Sequence, residues 1–352
     1  MTRPRILAPH ISLPATVRNN DYYRQHYPKL VADSENSALS TVWTPDNSHE
    51  LTHFERAMTA YVTDPFRGTV HRHTLAPDET IRTHEIAAAT AALADGAIAP
   101  DQVDLLISVS MWPDQLGFGN GLWLAEQLGL RCAAWNLETA QSGGLAALQA
   151  AHAFTASGLH KTVLVVVSCS YSRAVPESST FAWFLGDAAA AAVVTTEFGN
   201  RAGGELLSAA AINTVESQHE FIATPTDTPY GPNLELTPST ARGSTLRKYT
   251  DYHLSSVIDQ AANRAGYQLS DIDFFVFSTP VAWFTDFTTQ LLSIDPAKTI
   301  NTYPQYANIG PALPLVNLHE ALNAGHIQPG AIVLIATIGS VSSAAASLLR
   351  WN

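Results

Sequence analysis

The chain reads as an α/β protein built from two similar halves, and three observations lead there. Apolar strand-like runs alternate with segments of helical periodicity along most of the sequence. One phrase occurs three times: a helix ending in glycine, a short linker with Asp or Pro, then a β-branched strand, which suggests an internal duplication. The length, 352 residues, suits two halves that share one interface.

Taken in order, residues 14 to 65 are irregular, with one helix expected inside "WTPDNSHELTHFERAMTAYV". In "THEIAAATAALADG", Ile86, Ala89, Thr90 and Leu93 fall at helical spacing and Gly96 ends the run. A buried strand follows in "VDLLISVS", 103 to 110. The short strand "CAAW" leads through "NLETAQSGG" into an alanine-rich helix, and "GLH" stops it before the strand "TVLVVVSCS", 162 to 170. "AAAAAVVTT", 188 to 196, closes the first half. Residues 221 to 248, rich in Pro, Thr and Gly, read as a long surface excursion of the kind that lines a site. The second half resumes with a helix over 252 to 266, a strand "FFVFST" over 274 to 279, and helix, connector and strand in "LHEALNAGHIQPGAIVLIATIGS". The division falls at 1–200 and 201–352.

Composition bounds the function. Hydrophobic residues make up 46% and charged residues 14%, so much of the surface is uncharged or covered by a partner chain, and a homodimer is expected. The balance of 31 acidic against 19 basic residues, a formal charge of -12, argues against nucleic acid as a partner. Cys132 and Cys169 lie in apolar runs without a zinc-type cluster and read as reduced core residues of a cytoplasmic protein. No signal peptide and no run of about 18 apolar residues is present, so no membrane association is expected. His71 and His73 alternate on one side of an extended segment, but nothing at matching spacing completes a metal site, and none is expected.

Four stretches carry a resemblance. "GTVHRHTLAPDETIRTHEIAAATAALADGAIAPDQVDLLISVSMWPD", "AAWNLETAQSGGLAALQAA", "FLGDAAAAAVV" and "YPQYANIGPALPLVNLHEAL" resemble, in the same order, the ketoacyl-acyl carrier protein synthase III family of the thiolase superfamily. The resemblance covers roughly residues 66 to 352. It implies a thiolase-like fold, two similar βαβαβ halves in five α-β-α-β-α layers, with Gln141 at the start of a buried central helix.

It also assigns positions. The family's cysteine nucleophile, activated by a helix N-terminus, falls on Gln141, which cannot form an acyl intermediate but can hydrogen-bond where a thioester oxygen sits. The family's histidine falls on Ser278 and its asparagine on Asn308. With two of three positions altered, decarboxylative condensation by the usual mechanism is not expected. The family's glycine-rich loop corresponds to Gly339, Ser340 and Val341; only Gly339 of the glycine run remains, and the side chains of Ser340 and Val341 would narrow or reshape the substrate pocket.

Ser142 is the hydroxyl beside the altered position, and His219, flanked by Glu216 and Glu220, is the base it would need as a nucleophile. The alternative is that Ser142 caps the helix and His219 lies on the surface. Arg242, Arg247 and Lys248 form a local basic cluster suited to docking an acidic acyl carrier protein, or else a solvated loop charge. No cofactor is implied; an acyl carrier protein or CoA thioester would be the substrate. The expected function is transfer of its acyl group to an alcohol or amine in specialised metabolism, of polyketide or antibiotic type. The alternatives are a non-catalytic partner resembling a chain-length factor, in a heterodimer with an active ketosynthase, and a decarboxylase.

Overall fold

A computed structural model describes residues 3–36, 50–228, 231–239 and 244–352. The first half comprises β1 (Arg5–Leu7), β2 (His10–Ser12), β3 (Thr16–Asn19), α1 (Asn20–His26), α2 (Pro28–Asn36), α3 (His53–Thr59), β4 (His71–Thr74), α4 (Ile81–Asp95), β5 (Leu105–Met111), α5 (Gly121–Gln127), β6 (Ala133–Asn136), α6 (Gly143–Ala156), β7 (Thr162–Ser170) and β8 (Asp187–Thr195). The second comprises β9 (Gly203–Asn213), β10 (Phe221–Thr228), β11 (Gly231–Pro238), α7 (Ser244–Ala265), β12 (Phe274–Phe277), α8 (Phe284–Leu292), α9 (Tyr303–Tyr306), α10 (Leu313–Asn323), β13 (Ile332–Ile338) and β14 (Ser343–Trp351).

The main sheet runs β12-β13-β14-β9-β1-β8-β7-β5-β6, with β2 also on β8. The halves are thus joined edge to edge, because the short β1 pairs antiparallel with both β8 and β9. Within the first half β5 pairs parallel with β6 and β7, while β7 and β8 run antiparallel from Thr162↔Thr195 to Ser170↔Asp187.

The continuous apolar runs follow from burial on both faces. On β7, Val163, Val165 and Val167 join the central core, whereas Leu164 and Val166 face the core under α4. On β8, Ala188, Ala190, Ala192 and Val194 face the centre, and Ala191 and Val193 face α4. The central core contains residues of α6 and α10 together with Val333 and Ile335 of β13, so both halves of the sheet close on the same two helices. On the far side, Leu334 and Ala336 of β13 pack with Leu254, Val257 and Ile258 of α7 and Phe284 and Phe287 of α8. Alanine suits β8 because helices approach it from both sides. The five layers are therefore α4 and α5, the first half-sheet, α6 and α10, the second half-sheet, and α7 with α8 and α3.

Two sequence expectations need correction. Residues 14 to 36 are ordered rather than irregular: β3 pairs with β4, the Asn19 side chain accepts from Tyr22 N at the start of α1, and Tyr23 is buried against Phe66 and Trp183. The 221–248 excursion is a hairpin, β10 on β11 from Phe221↔Pro238 to Thr228↔Gly231, followed at Ser244 by α7. Its prolines are compatible with strands because a two-stranded ribbon has two open edges, where a missing N–H costs nothing. The boundary near residue 200 falls between β8 and β9, but α3, from the first half of the chain, packs on α8: Phe54 meets Phe287 at 5.4 Å between ring centres.

Candidate active site

Gln141 lies in the short turn Ala140–Ser142 that opens α6. The turn is tight. Ala140 takes φ 47, and a Cβ on Gly143 would come within 2.6 Å of Val109 Cγ1. A Cβ on Gly144 would come within 2.2 Å of the Pro311 carbonyl oxygen, so the glycine pair lets the start of α6 touch the turn that precedes α10. That second turn carries Asn308. Its backbone is held between Phe184 and Gly186, with Asn308 N donating to Phe184 O at 2.9 Å and Gly186 N donating to Asn308 O at 3.0 Å.

The two amides meet. Gln141 Nε2 donates to Asn308 Oδ1 at 3.4 Å, and Gly310 N donates to the same oxygen at 2.9 Å. With its oxygen occupied, Asn308 presents its NH2 group as the remaining donor. Both side chains line a cavity of about 750 Å3, whose wall is dominated by Trp112, Phe181, Phe184, Phe221 and Trp283. Phe221 and Leu234 come from the β10–β11 hairpin, so the excursion does line the cavity.

Ser142, one residue on, points the other way. It is fully buried, donates to Thr139 O at 3.0 Å, and shares hydrogen bonds with Ser342 Oγ at 3.0 Å and Ser343 Oγ at 2.8 Å. It sits at the N-cap position without bonding a helix N–H, so neither nucleophile geometry nor side-chain capping is present. Its role is to tie the start of α6 to the start of β14. His219 is exposed and does not line the cavity, while Glu216 accepts instead from His253 at 3.0 Å and Glu220 accepts from Thr245 N at 3.1 Å. The Ser142–His219 pairing is not assembled.

Ser278 is also fully buried, with its hydroxyl 3.4 Å from Ala336 O, and it is not among the residues that line the cavity. Ser340 and Val341 line the cavity. Gly339 stands behind them, where a Cβ would lie 2.4 Å from Ser342 Oγ and 3.4 Å from Ser142 N. The basic cluster is divided. Arg247 is drawn 3.8 Å from the buried Glu55 of α3, Lys248 is exposed over the Tyr249 ring, and Arg242 lies outside the described residues. Glu55 occupies the capping box of α3, and a buried carboxylate draws the nearest cation, which removes Arg247 from a docking patch.

Two charged residues of the cavity wall carry no signal in the sequence reading. Glu138 lies on the cavity wall but is exposed; it accepts from Ala140 N at 2.6 Å, and partial desolvation of its carboxyl pushes its pKa up. Arg67 reaches the same cavity from the turn before β4. A glutamate three residues before Gln141 was in view, but only its turn brings it to the cavity.

Comparison with known proteins agrees with this architecture. The profile described as 3-Oxoacyl-[acyl-carrier-protein (ACP)] synthase III matches residues 136–214, and that of its C-terminal part matches residues 262–351. The chain is 30% identical over 296 residues to the beta-ketoacyl-[acyl-carrier-protein] synthase III of Thermosynechococcus vestitus, covering 81% of this chain and 88% of that protein. In three dimensions it superposes on the Pseudomonas aeruginosa 3-oxoacyl-(acyl carrier protein) synthase III with a TM-score of 0.78 at 18% identity, over 99% of this chain and 98% of the other. A priming beta-ketosynthase from a polyketide biosynthetic pathway gives 0.77 at 19% identity, over 99% and 96%. No helix among the described residues is long and apolar enough to cross a membrane.

Proposed function

The chain belongs to the 3-oxoacyl-[acyl-carrier-protein] synthase III family, and from that premise and the geometry of its cavity we propose that it transfers an acyl group from a CoA or acyl carrier protein thioester directly to an alcohol or amine. The observation that carries this reading is the amide pair, Asn308 oriented by Gln141 and Gly310, facing an apolar cavity with Glu138 on its wall. Asn308 donates to the thioester oxygen and stabilises the charge that grows there as the acceptor adds. Glu138 takes the acceptor's proton as the new C–O or C–N bond forms, and it returns that proton to the sulfur as the C–S bond breaks and the thiol leaves. Gln141, at the position that the resemblance gives to cysteine, takes no acyl group. The reaction therefore needs both substrates bound together.

Intact-protein mass spectrometry with acyl-CoA thioesters should show no adduct, while an added amine or alcohol is acylated. The rate should rise with pH as Glu138 loses its proton, with a midpoint above that of an ordinary carboxylate because partial desolvation at the cavity wall raises its pKa. Glu138→Gln should abolish that limb. A stable acyl-enzyme, or an unaltered pH profile in the variant, counts against the reading.

A homodimer of the cytoplasm, in polyketide or antibiotic metabolism, is part of the proposal. The outermost strand β6 leaves one edge open, and Phe118, Leu122 and Trp135 are exposed beside it, an apolar surface suited to a second copy. The second reading, a non-catalytic partner, draws on Gln141 and on Ser278 being buried outside the cavity lining; the same edge would then seat an active ketosynthase, and transfer would be absent with every acceptor.

A further inference from the structure

Arg67 is the sole cation among the described residues that line the cavity. Its guanidinium is half-buried, its Nε has no solvent contact, and among the described residues it finds no hydrogen-bond partner and no ion pair. Glu138, the one carboxylate among the described residues of the wall, accepts from Ala140 N and makes no ion pair with Arg67. Asp64 attracts Arg67 only at a distance, without an ion pair, and spends both oxygens on the turn itself, accepting from Phe66 N at 2.9 Å and Gly68 N at 2.6 Å. The Phe184 ring lies 6.0 Å away, at the outer limit of a cation–π contact.

The turn holds this cation in place at a cost. Arg67 takes φ 46, a left-handed conformation unfavourable for a side-chain-bearing residue. Gly68 after it, at φ 82, is wedged where a Cβ would lie 2.4 Å from Ala282 Cβ and 2.7 Å from the Tyr61 ring. A guanidinium cannot shed its charge, so a buried one without a partner is unfavourable until an anion arrives. Burial accordingly pushes its pKa down.

We propose that Arg67 receives a carboxylate carried by a substrate bound in the cavity. This rests on the reading that the cavity takes an acyl thioester and its acceptor, and it names their chemical class: one of them is a carboxylic acid at the end remote from the reacting atoms. A planar fork matches a carboxylate in two parallel hydrogen bonds. One cation balances one negative charge, whereas a phosphate dianion would call for more than the single cation the described lining offers.

The test is binding by calorimetry, using matched probes without phosphate. Glutaryl and valeryl thioesters of N-acetylcysteamine form one pair, and β-alanine and its amide form the other. The wild-type protein should prefer the carboxylate of one pair by about tenfold or more, the effect of one charge-assisted contact. Arg67→Met should lose that preference and Arg67→Lys should keep part of it. Equal binding within both pairs by the wild-type protein overturns the inference without recourse to any variant. So does an Arg67→Met protein that weakens only CoA thioesters, since the anion would then be the carrier's phosphate. Because binding is read without turnover, a preserved preference with no transfer defeats the acyltransferase reading alone, and transfer without preference defeats this inference alone.

Discussion

The two central helices start from turns that are near copies with different consequences. Before α6 stand Ala140 and Gln141, and before α10 stand Ala307 and Asn308; each alanine has positive φ, 47 and 57, and each is followed by a carboxamide that faces the cavity. The second turn is locked. Asn308 is bonded through its backbone to Phe184 and Gly186, and its side-chain oxygen holds Gly310 N at 2.9 Å. The first turn leaves the longer Gln141 side chain a single contact of 3.4 Å. The two turns thus hold a fixed donor on one side and an adjustable one on the other, and catalysis by preorganised dipoles depends on the fixed one.

The largest expected effect is at the locked turn. Asn308→Ala should lower acyl transfer by about 10²–10³-fold, the usual loss for one oxyanion donor. Steady-state rates measure it, and a variant within twofold of wild type would break the contrast between the turns.

Restoring thiol chemistry at the adjustable turn should not restore condensation. Gln141→Cys should be acylated slowly, since the helix start still favours thiolate, and should form no carbon–carbon bond with malonyl thioesters. Adding Ser278→His should not rescue it. Ser278 is fully buried and does not line the cavity, so an imidazole there overpacks the core and should cost about 1–3 kcal/mol. Product analysis and denaturant titration of both variants decide the point; ketoacyl product from the single variant would show another residue serving as the oxyanion donor.

A smaller effect separates Gln141 from its neighbour. Ser142→Ala removes bonds to Thr139, Ser342 and Ser343 and should lower stability by about 1–2 kcal/mol while leaving turnover unchanged. Loss of turnover in a folded Ser142→Ala protein would reinstate the serine as nucleophile.

The smallest concerns the strained alanines. Ala307, at φ 57 and ψ -157, occupies a region nearly reserved for glycine, so Ala307→Gly should stabilise the fold by about 1 kcal/mol, read as a rise in melting temperature.

Much of this architecture was legible in advance because its signals are local. The strands at 162–170 and 188–196 announced themselves as unbroken apolar runs, and the structure places them at Thr162–Ser170 and Asp187–Thr195. The helix beginning at Gly143 followed from small residues after a turn. The hairpin at 221–238 was hidden because its prolines and threonines look like loop residues, and only pairing between its own two edges makes them strands.

By itself, the sequence determined the order of the elements and the burial of the strands, since each follows from composition and periodicity within a few residues; that the helix after Gln141 is a central one came from the family resemblance. Only the tertiary structure decided which groups reach the cavity. Gln141 and Ser142 are adjacent, yet a tight turn at Ala140 sends one toward Asn308 and the other toward Ser342 and Ser343, 200 residues away in the chain. Arg67 and Glu138 carry no motif at all. They become site residues because folding brings the turn before β4 and the turn before α6 to one apolar cavity, where a charge is expensive and therefore informative.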